Sequence, residues 1–149
     1  MDEQVAKTME NLKRHGFDVC FCETTAAANQ LIDSFVQPGA AVGFGGSETI
    51  QEMKTAEYLK AKAIEVIDHN LPGLSAEEKA VLRRREMSCD VFLTSSNAVT
   101  EDGQLYNVDG AGNRIARHRC PCSEQIHVLP QPHLWYKLSS RLCPYNCQY

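Results

Sequence analysis

The chain has 149 residues, of which 43% are hydrophobic and 23% are charged, and its formal net charge is −4. This length fits one domain with a single core. The acidic balance, without a basic stripe, argues against a nucleic-acid partner. No apolar run approaches the roughly 20 residues of a membrane-spanning helix. The N-terminus also lacks the basic start and apolar stretch of a secretory signal, so we expect a cytoplasmic protein without membrane contact.

Helical and strand-like patterns alternate along most of the chain. Spacing and capping residues predict helices over residues 3–14, 26–35, 47–53 and 56–62, and a further helix capped by Ser75. Short β-favouring runs predict strands at residues 17–22, 40–43, 63–67 and 90–95, and turn signals predict a small β meander after residue 98. This order predicts an α/β fold with a mostly parallel sheet and helices on both faces. In such sheets, ligands bind beyond the carboxyl ends of the strands.

A glycine-rich turn between a predicted strand and a predicted helix is the sharpest local feature. It contains Gly43, Gly45, Gly46 and Ser47. Glycines let a backbone approach a ligand closely, and free amides at a helix start favour a phosphate or a carboxylate. The spacing fits neither a P-loop nor the dinucleotide fingerprint. We therefore predict an anion-binding turn, and the alternative is a plain turn in which Ser47 only caps the helix.

Polar residues also follow the last of these predicted strands. The side chains of Ser96 and Asn97 can donate hydrogen bonds to a carboxylate or a sugar hydroxyl, or can simply cap the loop. Glu101 and Asp109 are candidate catalytic residues for proton transfer, although such residues often only shape turns. Arg114 can bind an anion through two hydrogen bonds, or can hold Asp109 in place.

The cysteines and the cofactor motifs favour neither a metal nor a cofactor. The chain has seven Cys, an odd number, and they suggest no disulfide framework. Four of them, Cys120, Cys122, Cys143 and Cys147, offer enough thiolates for zinc, but their spacing is not that of a usual finger. No residue set is typical of a flavin or nicotinamide site. We expect no metal site and no cofactor.

Three segments resemble a known family. They are HGFDV at residues 15–19, VGFGGSETI at residues 42–50 and CDVFLTSSNAVTEDGQLYNVDGAGNRIA at residues 89–116. Together they are similar to the LUD domain of the lactate-utilisation proteins B and C, over about residues 1–116. The resemblance implies a fold like that of the ribose-5-phosphate isomerase and CoA-transferase superfamily (NagB/RpiA/CoA transferase-like). It also implies that the glycine-rich turn corresponds to a sugar-phosphate or acyl-binding turn.

The resemblance leaves three functional hypotheses. The first is a component of L-lactate oxidation to pyruvate that carries no cluster and binds a small anionic ligand or iron–sulfur partner subunits. The second is a free-standing enzyme acting on a sugar phosphate or a CoA ester, with Glu101 or Asp109 as general base. The third is an inactive remnant.

The segment at residues 117–149 departs from the family pattern. It contains four of the seven Cys, four of the six Pro and the only Trp, and its one strand-like run is Ile126–Leu129. We therefore divide the chain into a LUD-type domain at residues 1–116 and an atypical tail, and we hypothesise a frameshifted or otherwise aberrant end. A sheet that lacks one family strand would have an unpaired edge, and we expect marginal stability from it.

Overall fold

The computed structural model describes residues 2–110, 112–113, 116, 124–129 and 134–138. Its helices are α1 (Glu3–Arg14), α2 (Thr25–Phe35), α3 (Glu48–Glu52), α4 (Thr55–Lys60) and α5 (Ala76–Glu86). Its strands are β1 (Asp18–Phe21), β2 (Ala41–Phe44), β3 (Glu65–Asp68), β4 (Val91–Ser95), β5 (Ala98–Val99), β6 (Leu105–Tyr106), β7 (Glu124–Leu129) and β8 (Leu134–Leu138). These elements confirm the predicted alternation, with boundaries shifted by one or two residues.

Six strands form one sheet, in the order β1-β8-β7-β4-β2-β3. Strands β3, β2, β4 and β7 are parallel to one another, whereas β8 is antiparallel to both β7 and β1. Strands β5 and β6 form a separate antiparallel hairpin in which Ala98 pairs with Tyr106. The α/β fold class with a mostly parallel sheet and a small β appendage is therefore confirmed.

Two strands of this sheet come from the segment that departs from the family pattern. Strand β7 pairs with β4 over five positions and separates β4 from β8, so it lies inside the sheet. Ile126, Val128 and Leu129 in β7 are buried. The strand-like run of this segment, Ile126–Leu129, therefore forms part of a buried strand, and the loss of one family strand stays a prediction. The division of the chain at residue 116 stays a prediction.

Side chains cap the starts of α1, α2 and α5, and Ser47 caps α3 in the same way. Asp2 caps α1, Thr24 caps α2 and Ser75 caps α5, each by accepting a hydrogen bond from a backbone amide of the first turn. In α5, the Glu78 carboxylate also accepts a hydrogen bond from the Ser75 amide, at 2.7 Å, which completes a capping box. These hydrogen bonds hold the pKa of Glu78 below its ordinary value. The predicted cap at Ser75 is confirmed.

Helices cover both faces of the sheet. On the first face, α2, α3 and α4 pack against inward side chains of the parallel strands, including Val42, Leu93 and Ile126. On the second face, Phe92 and Ile67 pack with Leu82 of α5, and α1 with the β5–β6 hairpin covers the region of Leu129. Within the described residues, none of the helices has both the length and the apolar character needed to cross a membrane.

Candidate functional site

The two predicted polar segments lie side by side. Strand β2 pairs with β4 in parallel, and beyond the last pair the Gly45 amide donates a hydrogen bond of 2.8 Å to the Leu93 carbonyl. Residues 43–47 and 94–97 therefore lie at the carboxyl ends of adjacent strands. We call this edge, with residues 68–70 at the end of β3, the strand rim.

The three glycines of the turn have different surroundings. A Cβ atom on Gly43 would lie 2.7 Å from the Cys89 Sγ, and one on Gly45 would lie 2.8 Å from the Thr94 Oγ1. A Cβ on the exposed Gly46 would have the Asn70 Oδ1 as its nearest neighbour, at 3.8 Å. Packing therefore requires glycine at positions 43 and 45, whereas position 46 is open to solvent and to a ligand.

Ser47 caps the helix that follows the turn. Its buried Oγ accepts a hydrogen bond of 3.2 Å from the Ile50 amide, at the start of the five-residue helix α3. This geometry is the alternative that the sequence left open. The hydroxyl can still donate its own hydrogen, and anion binding at the turn stays a prediction.

Ser96 and Asn97 are adjacent but have different environments. The buried Ser96 Oγ lies 3.0 Å from the His127 Nδ1 on β7. Asn97 is exposed, and its Oδ1 accepts a hydrogen bond of 2.9 Å from the Val108 amide. Ser96 therefore belongs to the interior below the rim, and Asn97 connects the rim to the segment that follows the β5–β6 hairpin.

Of the two candidate catalytic residues, the structure places Glu101 against α1. Glu101 lies in the hairpin turn, where its carboxylate forms an exposed ion pair of 3.2 Å with Lys7 and its carbonyl accepts a hydrogen bond from Asn11. These contacts are both to α1. Asp109 is half-buried beyond β6, and Arg114 lies outside the described residues. A catalytic role for Glu101 or Asp109 stays a prediction.

A row of buried polar side chains crosses the sheet just below the rim. The residues that directly follow the last β2–β3 and β2–β4 pairs are Gly45, His69 and Thr94. Thr94 in turn pairs with His127 on β7. Because side chains alternate along a strand, His69, Thr94 and His127 share the second face with Phe92. We call these three residues the polar row, and all three are buried.

The polar row continues into α5 through a histidine–carboxylate pair. The His69 Nδ1 lies 2.7 Å and 2.9 Å from the two carboxylate oxygens of Glu86, and the His69 amide donates to the same carboxylate at 2.9 Å. A carboxylate only accepts hydrogen bonds, so Nδ1 is the donor nitrogen in this contact. Glu86 therefore sets both the backbone position and the tautomer of His69.

Glu86 occupies an electrostatically unfavourable position. Its side chain is completely buried, and it ends α5, where the helix dipole opposes a negative charge. The hydrogen bonds from His69 offset part of this cost. A buried carboxylate with an oriented imidazole is a common arrangement at functional sites.

Sequence reasoning missed these residues for identifiable reasons. Glu86 follows Arg83, Arg84 and Arg85, and such a charged run is typical of a solvated helix face. His69 lies in a predicted loop, and His127 lies in the atypical tail. One signal in the sequence could have indicated His69. Asp68-His69-Asn70 directly follows a predicted strand, and residues at that position lie at the carboxyl edge of the sheet, where ligands bind.

Two open cavities lie at the opposite edge of the sheet. One, of about 620 Å³, is lined by the α2–β2 loop with Asp90 and Glu124, and the other, of about 490 Å³, is lined by residues near the start of β1. Both are at the amino ends of strands. Glu124 follows directly on residues outside the described part of the chain, so we assign no function to these cavities.

Comparison with known proteins identifies the family. The profile of the LUD domain matches residues 5–123, which is most of the chain and extends past the predicted boundary at residue 116. Searches of curated proteins and of solved structures found no match. The matched region contains the glycine-rich turn, His69, Glu86 and the polar residues after β4. The chain belongs to the LUD domain family.

Proposed function

We propose that this protein is a component of L-lactate utilisation that carries no iron–sulfur cluster and binds a small carboxylate ligand at the strand rim. Family membership supports the link to lactate. The observation that supports a ligand site here is the position of the glycine turn beside the end of β4, where the Gly45–Leu93 hydrogen bond joins the two. A ligand at this edge would lie beside Gly46, which is exposed.

The ligand class follows from the groups at the rim. Gly46 is exposed, and the half-buried Asn70 lies next to it and carries amide donors. The Asn70 side-chain amide and the Ser47 hydroxyl are neutral donors suited to one carboxylate and one hydroxyl. L-lactate has both groups on adjacent carbons.

A thermal-shift titration with L-lactate tests the proposal, with D-lactate and pyruvate in parallel. A ligand that binds only the folded chain at one hundred times its Kd stabilises it by about 2.7 kcal/mol. We expect L-lactate to raise the melting temperature more than D-lactate does. The shift should disappear in Gly46→Val, because the new side chain fills the open position without a clash of its Cβ.

A matched pair of serine variants separates ligand binding from helix capping. Ser47 and Ser75 both cap a helix through an Oγ that accepts an amide hydrogen bond of 3.2 Å. Ser47→Ala and Ser75→Ala should therefore each lower stability by about 1 kcal/mol. Only Ser47→Ala should also reduce the shift caused by L-lactate. Equal lactate shifts in both variants and in Gly46→Val would exclude the rim as the ligand site.

A second candidate function is a free-standing enzyme acting on a sugar phosphate or a CoA ester. The favouring observation is the α/β fold with its glycine turn at the carboxyl edge of the sheet. Ribose 5-phosphate and acetyl-CoA, used as probes in the same titration, distinguish it from the first. Stabilisation by either probe, but not by L-lactate, would favour this candidate.

Partner subunits and location complete the proposal. We place the protein in the cytoplasm, where iron–sulfur subunits of lactate oxidation would accept the electrons. Co-purification of such subunits with the tagged chain, from cells grown on L-lactate, is the expected result. A soluble chain that binds no probe and captures none of these subunits would favour the inactive remnant.

A further inference from the structure

We propose that Asp68, His69 and Glu86 form a binding site for one divalent cation, separate from the ligand turn. Each residue offers a potential ligand atom, and these three atoms all lie within 4.8 Å of one another. One imidazole nitrogen with two carboxylates is a donor set suited to manganese, iron or zinc. The proposal does not depend on lactate binding.

The spacing of the donor atoms suits a metal ion. Bonds from zinc to nitrogen and oxygen ligands are about 2.1 Å, so two ligand atoms of one ion are about 3 to 4 Å apart. The Nδ1 of His69 lies 2.7 Å from the nearer Glu86 oxygen, so the pair needs only a small separation to admit the ion. A cation would take the place of the hydrogen between them, because metal ligands bind in their deprotonated forms.

The charges around the cluster also favour a cation. Glu86 is completely buried and lies at the unfavourable end of the α5 dipole. Within the described residues, no Lys or Arg forms an ion pair with Asp68 or Glu86, and the nearby Arg85 pairs with Glu65 instead. A buried carboxylate is costly without a compensating positive charge. A divalent cation provides that charge.

The backbone holds the donors in place before a metal arrives. The Asp68 Oδ1 accepts hydrogen bonds of 2.8 Å from both the amide and the side chain of Asn70. The His69 amide is held by Glu86. Second-shell hydrogen bonds of this kind orient ligands in metal sites. Asn70 also lies beside Gly46, so the cation site is next to the glycine turn within the strand rim.

Manganese is the appropriate probe, because carboxylate and imidazole ligands suit Mn²⁺ whereas thiolates select zinc. The full chain, stripped of metal with a chelator, would be titrated with Mn²⁺ while the electron paramagnetic resonance signal of the free ion is followed. We expect one Mn²⁺ per chain. Asp68→Asn and Glu86→Gln should weaken binding at least about tenfold. Glu52→Gln, which changes an exposed carboxylate on α3, should leave it unchanged.

Circular dichroism melts show whether each variant is folded. If Glu86→Gln does not fold, the Mn²⁺ affinity of Asp68→Asn decides between the outcomes, because the Asp68 carboxylate is on the loop side of the cluster. Absence of Mn²⁺ binding to the wild type at millimolar concentration would overturn the proposal. An unchanged affinity for Mn²⁺ in a folded Asp68→Asn variant would also overturn the proposal, whether or not the chain binds lactate.

Discussion

Gly43 and Gly46 differ in one structural property, the space available to a β-carbon. A Cβ on Gly43 would lie 2.7 Å from the Cys89 Sγ and 3.3 Å from the Glu86 Cα, whereas the nearest atom to a Cβ on Gly46 is 3.8 Å away. Gly43→Ala should therefore destabilise the chain, and Gly46→Ala should not. The pair tests whether the glycines of this turn serve packing or ligand access.

The size of the expected destabilisation follows from the steric overlap of the new methyl group with its neighbours. Ordinary carbon contacts are about 3.5 to 4.0 Å, so the alanine methyl at position 43 overlaps a buried sulfur by most of an ångström. Overpacking of a close-packed core costs about 1 to 3 kcal/mol. At position 46, alanine has no clash and reduces the entropy of the unfolded chain, which is worth about 0.4 to 1 kcal/mol where the backbone permits it. The free energies of unfolding of the two variants should differ by about 1.4 to 4 kcal/mol.

Urea unfolding measures this difference if the slope of free energy against denaturant stays constant. Cys89→Ala supplies the internal control, because it removes the sulfur that the new methyl would meet. Gly43→Ala should lower the free energy of unfolding by less in the Cys89→Ala background than in the wild type. The loss that remains in that background reports the contact with the α5 backbone. Equal stability of Gly43→Ala and Gly46→Ala, or an unchanged cost in the double variant, would refute the packing argument.

Three further predictions concern the tail strand, the polar row and the helix cap. Ile126→Ala should lower the free energy of unfolding by about 2 to 5 kcal/mol in urea, because it opens a cavity inside the sheet. Ser96→Ala should cost about 1 to 3 kcal/mol in the same assay, because it removes a hydrogen-bond partner of buried His127. Glu78→Ala should lower the melting temperature at neutral pH. Since the pKa of Glu78 is lowered by folding, this difference should shrink as the pH falls through that pKa.

Each of these predictions has a contradicting outcome. Val81→Ala is the control for Ile126→Ala, because Val81 is 51% exposed and its loss should change stability by no more than about 0.5 kcal/mol. Similar effects of the two would show that β7 is not part of the folded sheet. A neutral Ser96→Ala would mean that the His127 contact is unimportant for stability. A melting difference for Glu78→Ala that persists in strong acid would exclude the carboxylate as its cause.

The sequence predicted the main elements because local signals were strong and consistent. Ser75 and Glu78 have the spacing of a capping box, and the structure shows both of its hydrogen bonds. The turn at Gly103 is a hairpin signal, and β5 pairs with β6 around it. Each of these features depends on residues less than about ten positions apart, so no knowledge of the fold was needed.

The same local reasoning failed wherever distant residues decide the structure. Residues 126–129 read as strand-like, but nothing local indicated that this strand pairs with β4, more than thirty positions earlier in the chain. Glu101 looked like a rim residue because it follows β4 closely, but the hairpin carries it to Lys7 on α1. The polar row was invisible for the same reason, since its members come from three separate strands.

The position of the polar row also constrains what the rim can do. His127 lies in the strand that the atypical tail contributes, and its ring contacts Ser96 at the end of β4. The buried side of the rim therefore contains a residue that lies beyond the LUD domain match, which ends at residue 123. Gly46, Asn70 and Glu86 all lie within the match. If the rim has a family function, these three residues can retain it, and β7 of the tail fills the sheet beside Thr94.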